Sequence, residues 1–332
     1  MKITIAQRFA PFSHLPGTFL PIPFTNWEVQ AFPVLLRFRA IGASGKVVDF
    51  PLQVTGPVNN FTAKLNIEKG QIELFGHAKS GYFLHKIAAG EKGIAIDGKL
   101  FIKTVIFAGK FTERLALGSH KQQDFDGVRA RGDLSEILPI WYALAQLMPQ
   151  VASPGQGGVF TLFDKCKKAL ADKREIARAY LNLFNASFVG ILSPRLTDEN
   201  HLGFQLDPLK GSDLEPLQVL SRGKAFIRQL FFKDEGDTYA MLPHLPPQFH
   251  AGRFTGFTTE RGDTLNCEWS KKLLKKVVVK PGFDGAIFLR LQSPLKSFRV
   301  RKNLRERGYF HDASLPLELK KGEALLLDNF KK

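Results

Sequence analysis

Hydrophobic positions change their spacing twice along the chain. From the N-terminus to about residue 118 they form short runs, among them Val29 to Phe38, Phe61 to Ile67, Gln71 to Phe75, Tyr82 to Ile87 and Leu100 to Phe107, with Gly, Pro and Asn between them. Runs of that length and punctuation predict strands, and several in succession predict an antiparallel β-sandwich. Gly56-Pro57, Lys69-Gly70 and Asp97-Gly98 supply turns, because Gly reaches positive φ without strain and Pro presets φ. Ahead of the strands, Pro11, Pro16, Gly17, Pro21 and Pro23 predict an extended arm laid over the sandwich.

From Gly118 the spacing turns helical. Asp133-Leu-Ser-Glu136 has the spacing of a capping box, and the apolar run Ile137 to Met148 follows it. Pro139 inside that run predicts a helix that is kinked or starts late. After a loop over Pro154 to Gly158, a second helical stretch runs from Thr161 to Phe188; Asp172-Lys-Arg-Glu175 repeats the capping spacing within it, so it reads as two helices. Ser212-Asp-Leu-Glu215-Pro216 opens another, with Leu217, Leu220, Phe226, Ile227, Leu230 and Phe231 at helical spacing and an end at Glu235-Gly236-Asp237.

The second change lies between Met241 and Trp269, where a Pro-rich turn gives way at Arg253 to strand-type alternation. Strands are predicted over Arg253 to Phe257, Thr264 to Trp269, Val277 to Val279, Ala286 to Leu291, Ser297 to Val300 and Ala324 to Leu327. The expected architecture is a multidomain β/α/β chain. It has an N-terminal antiparallel β-sandwich over 1–118, a short helical middle domain over 119–240, and a C-terminal antiparallel β-sandwich over 241–332.

Composition narrows the chemistry. Cys166 and Cys267 are the only cysteines, which excludes a disulfide framework and a four-thiolate metal site and points to a reducing compartment. The N-terminus turns polar within a few residues and has no signal-type apolar stretch, and no apolar run approaches the ~20 residues of a transmembrane helix. A soluble, cytoplasmic protein is expected. The formal net charge is +16, and residues 253–332 hold 18 Lys or Arg against 9 Asp or Glu, so the C-terminal region is the basic end.

Lys271, Lys272, Lys275, Lys276, Arg299, Arg301, Lys302, Arg305 and Arg307 form the basic cluster, with Phe298, Tyr309 and Phe310 among them. Lys272, Lys276, Arg299 and Arg301 are its binding candidates. Basic residues interleaved with aromatics suit nucleic acid, and the charge alone suits an acidic protein; the alternative is a solvated sandwich face.

Acidic chemistry centres on the start of the helical region. Inverting glycoside hydrolysis needs two carboxylates, one protonated and one activating water. The densest patch, His120 to Asp126 with Asp133 and Glu136 behind it, offers Asp124, Glu136 and His120 as catalytic candidates. Capping already accounts for Asp133 and Glu136, and that plainer reading is favoured. Trp141 and Tyr142 are candidates for a sugar-stacking platform, although neighbouring helix positions face different ways, which favours a core pair. No cofactor is expected. Gly155 to Gly158 lacks the Lys of a phosphate loop, and His244 and His250 have no carboxylate or thiolate partner for a metal.

Several segments carry a family resemblance. Met241-Leu-Pro-His-Leu-Pro246, the strand Gly252 to Gly262, Leu265-Asn-Cys-Glu-Trp269 followed by Lys272-Leu-Leu-Lys-Lys276, and Leu319-Lys-Lys-Gly-Glu323 resemble the end of the helical domain and the C-terminal β-sandwich of inverting α-L-fucosidase-type glycoside hydrolases. Asn60 to Gly70 and Gly81 to Lys86 are similar to that family's first β-domain. The resemblance implies a double ring of helices, which at ~10–14 residues per helix needs well over two hundred residues. Only about 120 lie between Gly118 and Tyr239, and the family's catalytic motifs have no counterpart. The resemblance therefore implies a carbohydrate-associated, truncated and non-catalytic relative. The alternatives are an active hydrolase with another carboxylate pair and a nucleic-acid-binding protein.

Overall fold

The computed structural model describes residues 2–42, 47–118, 123–151, 155–198, 203–204, 206–211 and 214–332. It has the expected order: antiparallel sheets, then helices, then sheets that are antiparallel apart from one pair of strands. By contact the chain divides into two units. One, here the sheet–helix unit, comprises Arg8–Phe111 and His120–Lys224; the other, the C-terminal unit, comprises Met1–Gln7, Thr112–Ser119 and Ala225–Lys332. Among the described residues no helix is long and apolar enough to cross a membrane.

In the sheet–helix unit, Phe12–Ser13, Asn59–Asn66, Gln71–Ala78, Gly81–Gly90, Gly93–Ile96 and Lys99–Lys103 form one antiparallel sheet in that order. Thr18–Pro21, Trp27–Ala31, Leu35–Ala40 and Val48–Pro51 form a second. Phe101 of the first packs against Phe38 and Phe50 of the second, which places the apolar faces inward as a sandwich. The predicted single strand Val29 to Phe38 is two strands. Pro33 lacks the N–H that a central ladder position needs, and the chain turns there, with the Phe32 N–H bonded to the Leu35 carbonyl at 2.9 Å.

The helices are α1 (Phe125–Arg131), α2 (Leu134–Ala145), α3 (Phe160–Ala169), α4 (Ile176–Ser187) and α5 (Leu217–Phe231), and the division between units falls inside α5. Asp133 caps α2 by accepting from the Ser135 N–H at 2.8 Å, so the helix starts early and Pro139 lies within it. Asp172 does not cap α4: its carboxylate accepts from the Arg174 N–H, and Glu175 at the cap position makes no capping bond. The start signal of α5 at Ser212 and Asp213, together with Pro154 and His120, lies outside the described residues. α5 ends at Phe231, before the predicted Glu235, because Phe232–Glu235 and Thr238–Met241 pair as a hairpin around Gly236.

In the C-terminal unit a seven-stranded sheet runs Arg114–Ala116, Ala251–Thr258, Thr264–Ser270, Leu273–Lys280, Leu325–Lys331, Ser297–Arg301 and Tyr309–Asp312. The 232–241 hairpin joins Gly285–Arg290 and Leu317–Leu319 in a four-stranded sheet, in which Thr238–Met241 and Gly285–Arg290 are the parallel pair. Phe232 meets Tyr239, Phe254 and Phe257, and Phe231 stacks on buried Trp269, so both sheets share an aromatic core. The arm divides. Ile3 is buried with Val278 and Leu326 on the seven-stranded sheet, where Thr4 and Gln7 carbonyls accept from Arg253 and Arg114, whereas Phe12–Ser13 and Thr18–Pro21 are themselves strands of the sandwich.

Candidate functional site

The sheet–helix unit contains a cavity of about 480 Å³. One wall is Glu28 and Arg39 to Gly42, from neighbouring strands of the four-stranded sheet; Val189 and Pro194 to Thr197 form the second, after α4; Leu209, Gly211, Leu214 and Pro216 form the third, ahead of α5. That volume lies within the ~300–1,000 Å³ usual for small-molecule sites. Aliphatic or proline side chains contribute to each wall, and its charge is concentrated in three side chains.

Register puts Glu28 directly opposite Arg39 in the antiparallel hairpin. Glu28 is buried, its Oε1 takes the Arg39 Nε–H, and its Oε2 takes the Ser193 hydroxyl. A charge this far from water is tolerated only when paired and hydrogen-bonded, and here both oxygens are engaged. Ser193 is delivered by a two-stranded ribbon, Phe188–Val189 with Ser193–Pro194. Gly190 turns that ribbon at φ +51, where a Cβ would stand 2.3 Å from the Phe19 carbonyl oxygen. Arg129 fastens the ribbon to α1 by donating to the Phe188 and Gly190 carbonyls at 3.0 Å each. Burial, with the nearby Arg195 guanidinium, pushes Arg129 down to about 10, so it keeps its charge at neutral pH.

Arg195 is a structural pin as well as a wall. Its Nε donates to the Ala186 carbonyl at 2.7 Å, its Nη2 to the Asn185 carbonyl at 3.0 Å, and it pairs with Asp198 at 3.3 Å. Arg39 is different. Its guanidinium lies 4.5 Å from the centre of the Phe19 ring, and its side chain is 47% exposed.

The residues singled out from sequence lie elsewhere. Asp124 caps α1, its carboxylate facing the Gly127 N–H at 3.4 Å, and Glu136 pairs with Arg131 at 2.8 Å. Neither lines the cavity, and His120 lies outside the described residues. Trp141 and Tyr142 have no exposed surface, which removes them as a sugar platform: Trp141 packs edge-on against Phe188 and its ring atoms fill the space beside Gly223. Burial pushes the Cys166 thiol up to about 12 and Cys267 well above the ordinary thiol range, so neither supplies a thiolate nucleophile.

The basic C-terminal end is partly neutralised by carboxylates of its own unit. Arg299 and Arg301 both pair with Asp328, Lys302 pairs with Glu323 at 3.0 Å, and Arg253 with Glu268 at 3.1 Å. Lys276 stands between Glu268 and Asp328 in register, and Lys272 forms, with Lys271, a hairpin turn in which both residues have positive φ. A second concavity, of about 550 Å³, lies in this unit between residues 5–7, 116–118, 251–253 and 268–270; its charged groups are the Arg253–Glu268 pair. Among the described residues no three His, Cys, Asp or Glu side chains gather as a metal site.

Sequence reading missed Glu28, Arg39 and Arg195. The first two had a findable signal: once Pro33 is taken as a turn, Trp27 to Ala31 folds back on Leu35 to Ala40 and the opposite charges at 28 and 39 become cross-strand partners. Arg195 had little, because beyond Asp198 three residues on it is held by backbone carbonyls at the end of α4. No protein-family model matches this chain, and no curated protein matches it.

Proposed function

We propose that the protein binds carbohydrate without hydrolysing it, as a reduced relative of glycoside hydrolases, and that the cavity at Glu28 and Arg39 is where the sugar sits. The observation that carries this is the cavity itself: fixed polar groups, Glu28, Arg39 and Arg195, set among aliphatic and proline side chains. A pyranose presents the same contrast, hydroxyls around its rim and C–H groups on its faces. Non-catalysis follows from counting carboxylates. Among the described residues Glu28 alone contributes one to the lining, and both its oxygens are held by protein donors, whereas inversion needs two carboxylates flanking the bond.

Screening purified protein on a glycan array, beside a panel of aryl glycosides, tests both halves. Glycan binding with no release of the aryl group is the expected result. Sustained turnover would overturn the non-catalytic half, and an array without any bound glycan would overturn the carbohydrate half.

A further inference from the structure

The three charged groups lining the cavity are not equivalent. Glu28 is engaged at both oxygens, and Arg195 is committed to two carbonyls and Asp198. Arg39 uses its Nε–H on Glu28. A guanidinium carries five N–H donors in a planar fork, so four remain on Nη1 and Nη2, and among the described residues no hydrogen bond or ion pair takes them up. Glu28 from the side and the Phe19 ring against one face fix the plane of that fork. The usual entropic cost of ordering a long cationic side chain around a ligand is thereby largely met before binding.

Each guanidinium lining the cavity has an acidic partner, Glu28 for Arg39 and Asp198 for Arg195, so selectivity rests on the donors of Arg39 that remain rather than on net charge. A neutral sugar would leave the fork facing solvent or a single hydroxyl, whereas a planar or tetrahedral oxyanion accepts two parallel N–H bonds, the stronger and more directional arrangement. We infer that the cavity selects an anionic saccharide, one carrying a carboxylate or phosphate, and that Arg39 is the residue that grips the anion. This rests on the carbohydrate reading of the same cavity. Arg39 is then the specificity determinant, Glu28 and Phe19 are positioning residues that hold its fork, and the aliphatic and proline side chains of the lining take the sugar ring.

Isothermal titration with D-glucose, D-glucuronate, D-glucose 6-phosphate and inorganic phosphate tests it, using the full chain and the variants Arg39→Gln and Arg39→Lys. In the wild type, glucuronate or the sugar phosphate is expected to bind at least tenfold more tightly than glucose, and whichever leads identifies the anion. Arg39→Gln should bring the leader down to the glucose level. Arg39→Lys, which keeps the charge beside Glu28 but not the fork, should lose most of the preference and serves as the informative variant if Arg39→Gln does not fold. Glucose bound as tightly as the anionic sugars would overturn the inference and leave the carbohydrate reading standing. Inorganic phosphate bound as tightly as the sugar phosphate would overturn the saccharide part of both, and an anion preference unchanged in Arg39→Lys would remove Arg39 from its role.

Discussion

At the scale of single residues, the basic end of the chain shows how pairing changes what a charge can do. Asp328 lies in register between Lys276 and Arg299 and receives bonds from both Arg299 and Arg301. Burial alone would raise its carboxyl, but the two guanidiniums outweigh that and hold it below the ordinary aspartate range. A carboxyl depressed in the folded state contributes stability that is fully present above its unfolded value of about 3.9 and is lost as pH falls through the folded value. Asp328→Asn should therefore cost about 1–3 kcal/mol at pH 7, and urea denaturation at a series of pH values should show the gap to wild type narrowing below about pH 4. A gap that stays constant down to the acid limb would show that the two guanidiniums do not depend on the carboxylate charge.

At the scale of elements, α5 packs against α2 through a position where the usual propensity rule reverses. Gly→Ala in an exposed helix interior normally stabilises by about 1 kcal/mol. At Gly223, however, a Cβ would lie 2.1 Å from Trp141 Cζ2 and 2.5 Å from Cε2, so the ring would have to leave its place beside Phe188. Gly223→Ala is expected to destabilise by about 1–2 kcal/mol with a changed near-ultraviolet circular dichroism spectrum, since overpacking outweighs the propensity gain; a stabilised variant with an unchanged spectrum would contradict that packing.

The same elements show what sequence pattern can and cannot reach. The pair α3 and α4, the Asp133 cap and the strands from Ala251–Thr258 to Leu273–Lys280 were legible because periodicity and capping are local signals. Tyr309–Asp312 and Leu317–Leu319 escaped because they are short, and their pairing partners, Ser297–Arg301 and Gly285–Arg290, are set by register rather than by their own composition. The end of α5 is not marked locally, because the first breaking residue is Gly236, which turns the hairpin in which Phe232–Glu235 already pairs with Thr238–Met241. The candidate site escaped for a related reason. Its walls come from a hairpin, a ribbon after α4 and a segment before α5, and no local stretch contains more than part of one wall.

At the scale of the whole molecule, the high net charge is a weaker guide to function than its distribution. Several cations of the basic end are matched by carboxylates on the same sheet, while one guanidinium in a cavity of the sheet–helix unit keeps unmatched donors. Where a ligand sits is therefore decisive. Hydrogen-exchange mass spectrometry of the full chain with and without D-glucuronate locates it directly. Slowed exchange is expected in peptides covering residues 27–42 and 188–197, with the seven-stranded sheet unchanged. Protection confined to residues 251–270, beside the other concavity, or none anywhere at saturating ligand, would contradict a saccharide site at Glu28 and Arg39.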